Sequence, residues 1–251
     1  MLDADIISNA LEELADKQTR FKKAKHLQPF RGLRGVSARD MGPVIRDAWA
    51  GGVDLTGDAE ALRRLFSTAH EDGIVAMALV AAAMPDAPLL ALELAEEWLD
   101  VVDDTETADA LGWLVLGPSL LSQGSAMGLS SYCLESRGSC RPHAKRALVM
   151  ACMAALPIEV EGVAAGALRD RMGVRRLAFV EQVIPDVCDV VLDAFWREDH
   201  PHVCKAIARL ARSWGECEPE TVAKFVQARM SFTSILLRRA AEKGINKGQQ
   251  R

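Results

Sequence analysis

The stretch from His200 to Gln227 constrains the fold of this chain more than any other. Val203, Ile207, Leu210, Ala211 and Trp214 recur at helical spacing and make one apolar face. Gly215 stands where a helix C-terminus accepts a residue free to take positive φ. Glu218-Pro219-Glu220 then reads as the start of a second helix, with proline in the first turn and acid at the positive end of the dipole. Val222, Phe225 and Val226 give that helix an apolar stripe of its own. The unit is a helix hairpin. Each large side chain it buries contributes about 1.5–3 kcal/mol, and ordering entropy offsets most of that. Such a hairpin is stable only when stacked on others.

The rest of the chain repeats the pattern, and no stretch alternates with the period of a strand. Ile6 to Lys25 is predicted as an amphipathic helix with a basic end, followed by a loop over Pro29–Ser37. Ser37 opens a helix that runs to Gly51-Gly52, and Asp58 opens another. Gly73 to Met84 is apolar all round and predicts a buried helix stopped by Pro85. Pro88–Val102, Thr105–Leu116 and Pro118–Met127 follow, and then a Gly/Ser-rich loop through Ser139. Pro142–Leu156, Val163–Arg171, Val187–Trp196, Pro201–Trp214, Pro219–Arg229 and Ser231–Lys243 complete the series. The expected fold is therefore all-α, a HEAT-like helical repeat solenoid in one domain. Residues 1–36 form an N-terminal helix and loop, 37–243 the stacked hairpins, and 244–251 a frayed tail.

Charge is distributed unevenly. Residues 1–136 carry 11 Lys+Arg against 22 Asp+Glu, while residues 137–251 carry 19 against 13. From Leu65 to Ser136 there is no Lys or Arg, so that region holds no phosphate through side-chain cations. The C-terminal half could: Lys205, Arg209 and Arg212 lie at i, i+4 and i+7, opposite the apolar stripe of their helix. They read either as a phosphate-facing ridge on the inner side of the solenoid or as an ordinary solvated face. One Tyr in the chain argues against an aromatic base-stacking platform.

Six cysteines sit mostly among apolar residues and read as small buried hydrophobes of a reducing compartment. An acidic N-terminus unlike a signal peptide, and no long uninterrupted apolar run, predict a soluble cytoplasmic protein with no membrane contact, expected as a monomer. Cys133, Cys140 and His143 have loosely metal-like spacing but lack a fourth ligand, so neither metal nor cofactor is expected. His200-Pro201-His202 lies at a helix start and reads as capping or exposed, not ligating. Hydrolase, nucleotide-phosphate and dinucleotide motifs are missing.

The order of landmarks resembles the AlkD-type DNA alkylation repair glycosylases, a family of HEAT-like repeats. The resemblance rests on Gly35-Val36-Ser37-Ala38-Arg39-Asp40-Met41, on Asp109 with Leu116-Gly117 downstream, on Lys145-Arg146-Ala147, and on Val203-Cys204-Lys205-Ala206-Ile207 with Arg212 and the Glu-Pro-Glu that follows. It implies a DNA-engaging base-excision protein with Asp109 and Arg146 as catalytic residues, and Lys145, Lys205, Arg209 and Arg212 as nucleic-acid contacts. The match departs at the two tryptophans that flank the family's aspartate, where Thr105 and Arg209 stand. Each lost aromatic removes a cation–π contact of about 0.5–2 kcal/mol, and an arginine repels a cationic base. The resemblance therefore implies excision of alkylpurines that is reduced, altered or absent. Two questions stay open at this level. Asp109–Arg146 is either a catalytic pair or a structural ion pair between repeats. The groove takes either DNA or, as a non-enzymatic scaffold, a protein partner.

Overall fold

The computed structural model describes the chain except residues 28, 124–125, 137, 139–140, 161–164, 166–178, 230–233 and 251. Among the described residues there is no strand, and helices follow one another throughout: α1 (Ala4–Glu13), α2 (Lys17–Ala24), α3 (Ala38–Ala50), α4 (Leu55–Thr68), α5 (His70–Ala83), α6 (Pro88–Leu99), α7 (Thr105–Ala110), α8 (Gly117–Ser122), α9 (Ala126–Ser136), α10 (Pro142–Ala151), α11 (Pro185–Phe195), α12 (Pro201–Cys217), α13 (Pro219–Ala228) and α14 (Ile235–Gly248). A π-helical turn, Leu111–Leu116, joins α7 to α8 without a break. The starts are chemically marked. Asp3, Asp16, Ser37, Asp54, Asp104 and Ser234 cap their helices through side-chain oxygens, and Pro88, Pro142, Pro185, Pro201 and Pro219 occupy first positions.

The helices form two layers. One runs α3, α5, α7 with the π turn, α10, α12, α14, each packed on the next. The other runs α1, α4, α6, α8, α9, α11, and α13 joins its end where Trp196 meets Phe225 edge-on at 5.1 Å between centroids. This is an all-α helical repeat solenoid with one continuous apolar core between the layers. Helix α5 lies inside it, buried on all sides from Ile74 to Val80 as its unbroken apolar sequence requires. No helix of the described residues is long and apolar enough to cross a membrane.

Several expectations are corrected. The helix predicted over Ile6–Lys25 breaks at Leu14–Asp16, because Asp16 turns its carboxylate onto the amide of Thr19 and starts α2. The Gly/Ser-rich stretch before Ser139 contains a helix, α9, with Leu129 and Cys133 in the core. The segment predicted as a helix over Val163–Arg171 lies outside the described residues except Ala165. Gly215 does not end its helix. It sits inside α12, and the tail expected to fray from Gly244 is instead the last part of α14, docked on that helix.

Glycines explain this docking and one other close approach. A Cβ on Gly244 would lie 2.1 Å from the carbonyl oxygen of Arg212, and one on Gly248 2.6 Å from that of Gly215. Across the π turn, a Cβ on Gly112 would lie 2.2 Å from the carbonyl of Ala147, and one on Gly117 2.2 Å from that of Ala151. At these points backbone touches backbone. Substituting alanine should therefore force helices apart, at about 1–3 kcal/mol each. We expect Gly112→Ala and Gly244→Ala to lower Tm by roughly 2–4 °C per kcal/mol, while Gly138→Ala, whose surroundings are open, leaves Tm in place. Thermal melting of the three variants checks this, and equal melting of all three would contradict it.

Candidate nucleic-acid interface

Three neighbouring helices of one layer, α7, α10 and α12, start at the same end of the site and present side chains in matching rungs. One turn in from the starts of α7 and α10 stand Asp109 and Arg146, and two turns in from the start of α12 stands Arg209. Arg146 Nε donates to Asp109 Oδ1 at 2.7 Å and Nη2 to Oδ2 at 2.8 Å, a bidentate pair. Its remaining Nη1 donates to the carbonyl of His202 at 2.8 Å. Arg209 adds a second guanidinium, with Nη1 3.4 Å from Asp109 Oδ2 and Cζ over the Trp113 ring at 5.0 Å from its centroid. Both carboxylate oxygens are thus committed, and two cations face one anion. The pair is only partly shielded: the Arg146, Asp109 and Arg209 side chains are 10%, 21% and 31% exposed.

Of the other residues singled out from the sequence, Lys145 turns away to Glu198 at 2.8 Å. Arg212 pairs with Glu216 at 3.1 Å, and Glu216 also holds Lys247 at 2.6 Å. Lys205 is exposed and has no side-chain partner among the described residues. The predicted ridge Lys205/Arg209/Arg212 is therefore not one continuous field of free cations: its middle member turns to Asp109 and its last to Glu216. Cys140 lies outside the described residues, and no metal-holding cluster of His, Cys, Asp and Glu occurs among those described. The described cysteines carry no disulfide, and Cys133, Cys152 and Cys188 are buried.

Toward the helix starts, a cavity of about 250 Å³ opens beside the ion pair. Thr105, His143 and His202 line it from α7, α10 and α12, with Asp103 and Asp104 at the α7 start and Lys25, His26 and Leu27 at the end of α2. The His143 and His202 rings are 5.0 Å apart and tilted by 33°. Burial, reinforced by the positive field of His202, pushes the His143 pKa below its ordinary value, and burial with the neighbouring His200 does the same to His202. His200 caps α12, accepting from the His202 amide at 3.4 Å. The sequence reading missed this cavity wall, although the spacing carries it. Thr105 is four residues before Asp109, His143 three before Arg146, and His202 seven before Arg209, each on one helix face. The contribution of α2 could not be read from spacing, because it arrives through the long loop.

That loop is held by a buried polar network. Arg31 reaches Asp103 at 3.0 Å and lies 4.5 Å over Phe66, and Arg34 Nε reaches Asp72 at 2.6 Å. Glu71 takes Lys23 at 2.8 Å and the amides of Arg34 and Gly35. Gly35, at φ +90°, lets the loop pass against the backbone of α2. His70 sits between Asp104 at 3.1 Å and Glu106 at 3.2 Å. Burial lowers the imidazole pKa, but hydrogen bonds to the two carboxylates outweigh it and hold it at about 9. Burial likewise raises Asp104, and His70 together with Thr107 outweighs it, leaving the carboxyl at about 2.

His70 is raised from 6.5, so its stabilisation is complete below pH 6.5 and is lost as pH rises through 9, about 3 kcal/mol in all. Chemical denaturation at pH 6 and pH 10 should show that loss in the wild type and little of it in His70→Phe; parallel pH profiles would refute it. Asp109→Asn strands two guanidiniums and should cost about 1–3 kcal/mol, between exposed and buried ion pairs. Arg209→Met leaves Asp109 paired and should cost less than about 1 kcal/mol. The reverse order in denaturant titrations would mean that Arg209, and not Arg146, holds the carboxylate.

Residues 7–129 match the family model described as DNA alkylation repair enzyme. The matched stretch contains Asp109 and ends before Arg146 and Arg209. Comparison with curated proteins and with solved structures gave no match.

Proposed function

We propose, from the match of residues 7–129 to the DNA alkylation repair enzyme family, that the chain binds DNA across the ends of α7, α10 and α12 without excising cationic alkylpurines. The observation that carries this reading is the commitment of Asp109. A carboxylate that stabilises positive charge on a sugar in the transition state must present that charge to the sugar. Here Arg146 takes both oxygens and Arg209 approaches the second. The local charge is net positive, which favours a phosphate and repels a cationic base. In this reading Asp109 is the strut that holds two arginines at the mouth of the cleft.

Phosphates have further cations to meet. Lys205 is exposed three residues past His202, and Lys25, also exposed, lines the same cavity from α2. Lys25 thus reaches the cavity from α2, and Lys205 stands about one helical turn beyond its wall at His202. Lys145 and Arg212, each engaged by a glutamate, contribute less.

The test is the salt dependence of binding to a fluorescent duplex. Each phosphate contact contributes a slope of about 0.9 in log affinity against log salt. Lys25→Ala with Lys205→Ala should lower the slope by roughly two units. Duplex binding with an unchanged slope would remove these lysines from the interface. Failure of the wild type to bind duplex at low salt would overturn the reading and leave a protein partner as the occupant of the groove.

A further inference from the structure

We infer that the apolar groove between α1 and α3 docks the start of α14 from a second copy of this chain, so that solenoids add head to tail. The inference does not depend on DNA binding, and it departs from the monomer expected from the sequence. It starts from a property of stacked helices. Each unit contacts only its neighbours, so the first and the last units each keep one side without a partner.

At the N-terminal end that side is a groove. The cavity there measures about 370 Å³ and is lined by Met1, by Ile6, Ile7 and Ala10 of α1, and by Val44 and Ala48 of α3. These two helices are the first of their layers. Met1 and Ile6 are exposed, so the groove presents aliphatic surface to water. Its rim is acidic, with Asp3 and Asp47. Asp47 meets Arg46 at 3.0 Å, a contact between two exposed side chains that contributes little and exchanges readily. Asp3 spends Oδ1 on the first amides of α1, and its Oδ2 has no hydrogen-bond partner among the described residues.

At the C-terminal end the matching element is α14. Leu237, Ala241 and Gly244 turn inward. Ile235, Arg239 and Lys243, at i, i+4 and i+8, make the opposite stripe and are exposed, with exposed Leu236 beside them. Glu242 is the one acid of this helix, against Arg238, Arg239, Lys243 and Lys247. The face thus offers two aliphatic side chains followed by cations, and the groove offers aliphatic side chains edged by aspartates.

Charge selects this pairing over the alternatives. Residues 1–136 carry 11 Lys+Arg against 22 Asp+Glu, and residues 137–251 carry 19 against 13. Two grooves face to face would set Asp3 and Asp47 against themselves, and two α14 faces would oppose their cations. Only the head-to-tail arrangement brings opposite signs together. Such a contact is heterologous: each copy keeps a groove or an α14 open, and assemblies lengthen unless the rotation closes a ring. One groove of this size covers little area, which places the contact in the weak class.

Sedimentation velocity of the protein alone, from micromolar to millimolar concentration at low salt, tests the inference. The weight-average sedimentation coefficient should rise with concentration, and added salt should shrink the rise. Ile6→Asp spoils the groove and Leu236→Asp spoils the inserting face; both positions are exposed, so both variants should keep the wild-type Tm. Each variant alone should stay monomeric. Mixed, they should form a dimer and nothing larger, because each retains the half that the other lacks. A wild type that stays monomeric throughout overturns the inference, as does growth that survives in either variant. Two monomeric variants that fail to pair on mixing overturn it as well.

Discussion

The approach of the π turn to α10 sets the register on which the candidate site depends. Ala147 and Ala151 are four residues apart, one turn of α10, and each puts its carbonyl against a glycine. The two glycines, Gly112 and Gly117, are five residues apart. In an ordinary α-helix a spacing of five does not return to the same face. A π turn holds one more residue than an α turn, so Leu111–Leu116 brings both glycines onto α10. Asp109 precedes the first of these contacts by less than one turn, and Arg146 is the residue before Ala147. The ion pair is thus a consequence of a backbone seam. Side chains larger than hydrogen at residues 112 or 117 would move the carboxylate off the guanidinium before any charge was changed.

Around that seam many charges are arranged in pairs. Arg31, Arg34, His70 and Lys23 answer the acids that gather at the start of α5 and α7. Lys145 answers Glu198 between α11 and α12, and Arg212 answers Glu216 within α12. At the mouth of the cleft Arg146 and Arg209 share Asp109, and Lys25 and Lys205 are exposed. Burial of the loop network also has a functional side. It fixes α2 against α5, and so places the α2 end over a cavity whose other walls come from helices more than 70 residues further along the chain.

Helices and layers were legible in the sequence because their periodicity is an energetic requirement: an apolar stripe in water has to find a partner. Val203, Ile207, Leu210 and Trp214 are buried as their spacing implies. The apolar stretch of α5 is central for the same reason. What the spacing could not show was how glycine would be used. Gly215 has the composition of a helix stop, yet α14 packs so closely on α12 that a small residue is needed within the helix. The same contact converts the expected loose tail into a docked helix. Lys205, Arg209 and Arg212 share a helix face, but Asp109, which holds Arg209, and Glu216, which holds Arg212, decide what that face offers. Asp109 is 100 residues away in sequence, beyond any local pattern.

The central claim is that Asp109, held by two arginines, is not available to a departing cationic base. Single-turnover release of 7-methylguanine from a methylated duplex by the wild-type protein tests it most directly. The account predicts release no faster than spontaneous loss in the absence of protein, at protein concentrations where the duplex is bound. Rapid release by the wild type, abolished in Asp109→Asn, would contradict it and return the carboxylate to catalysis.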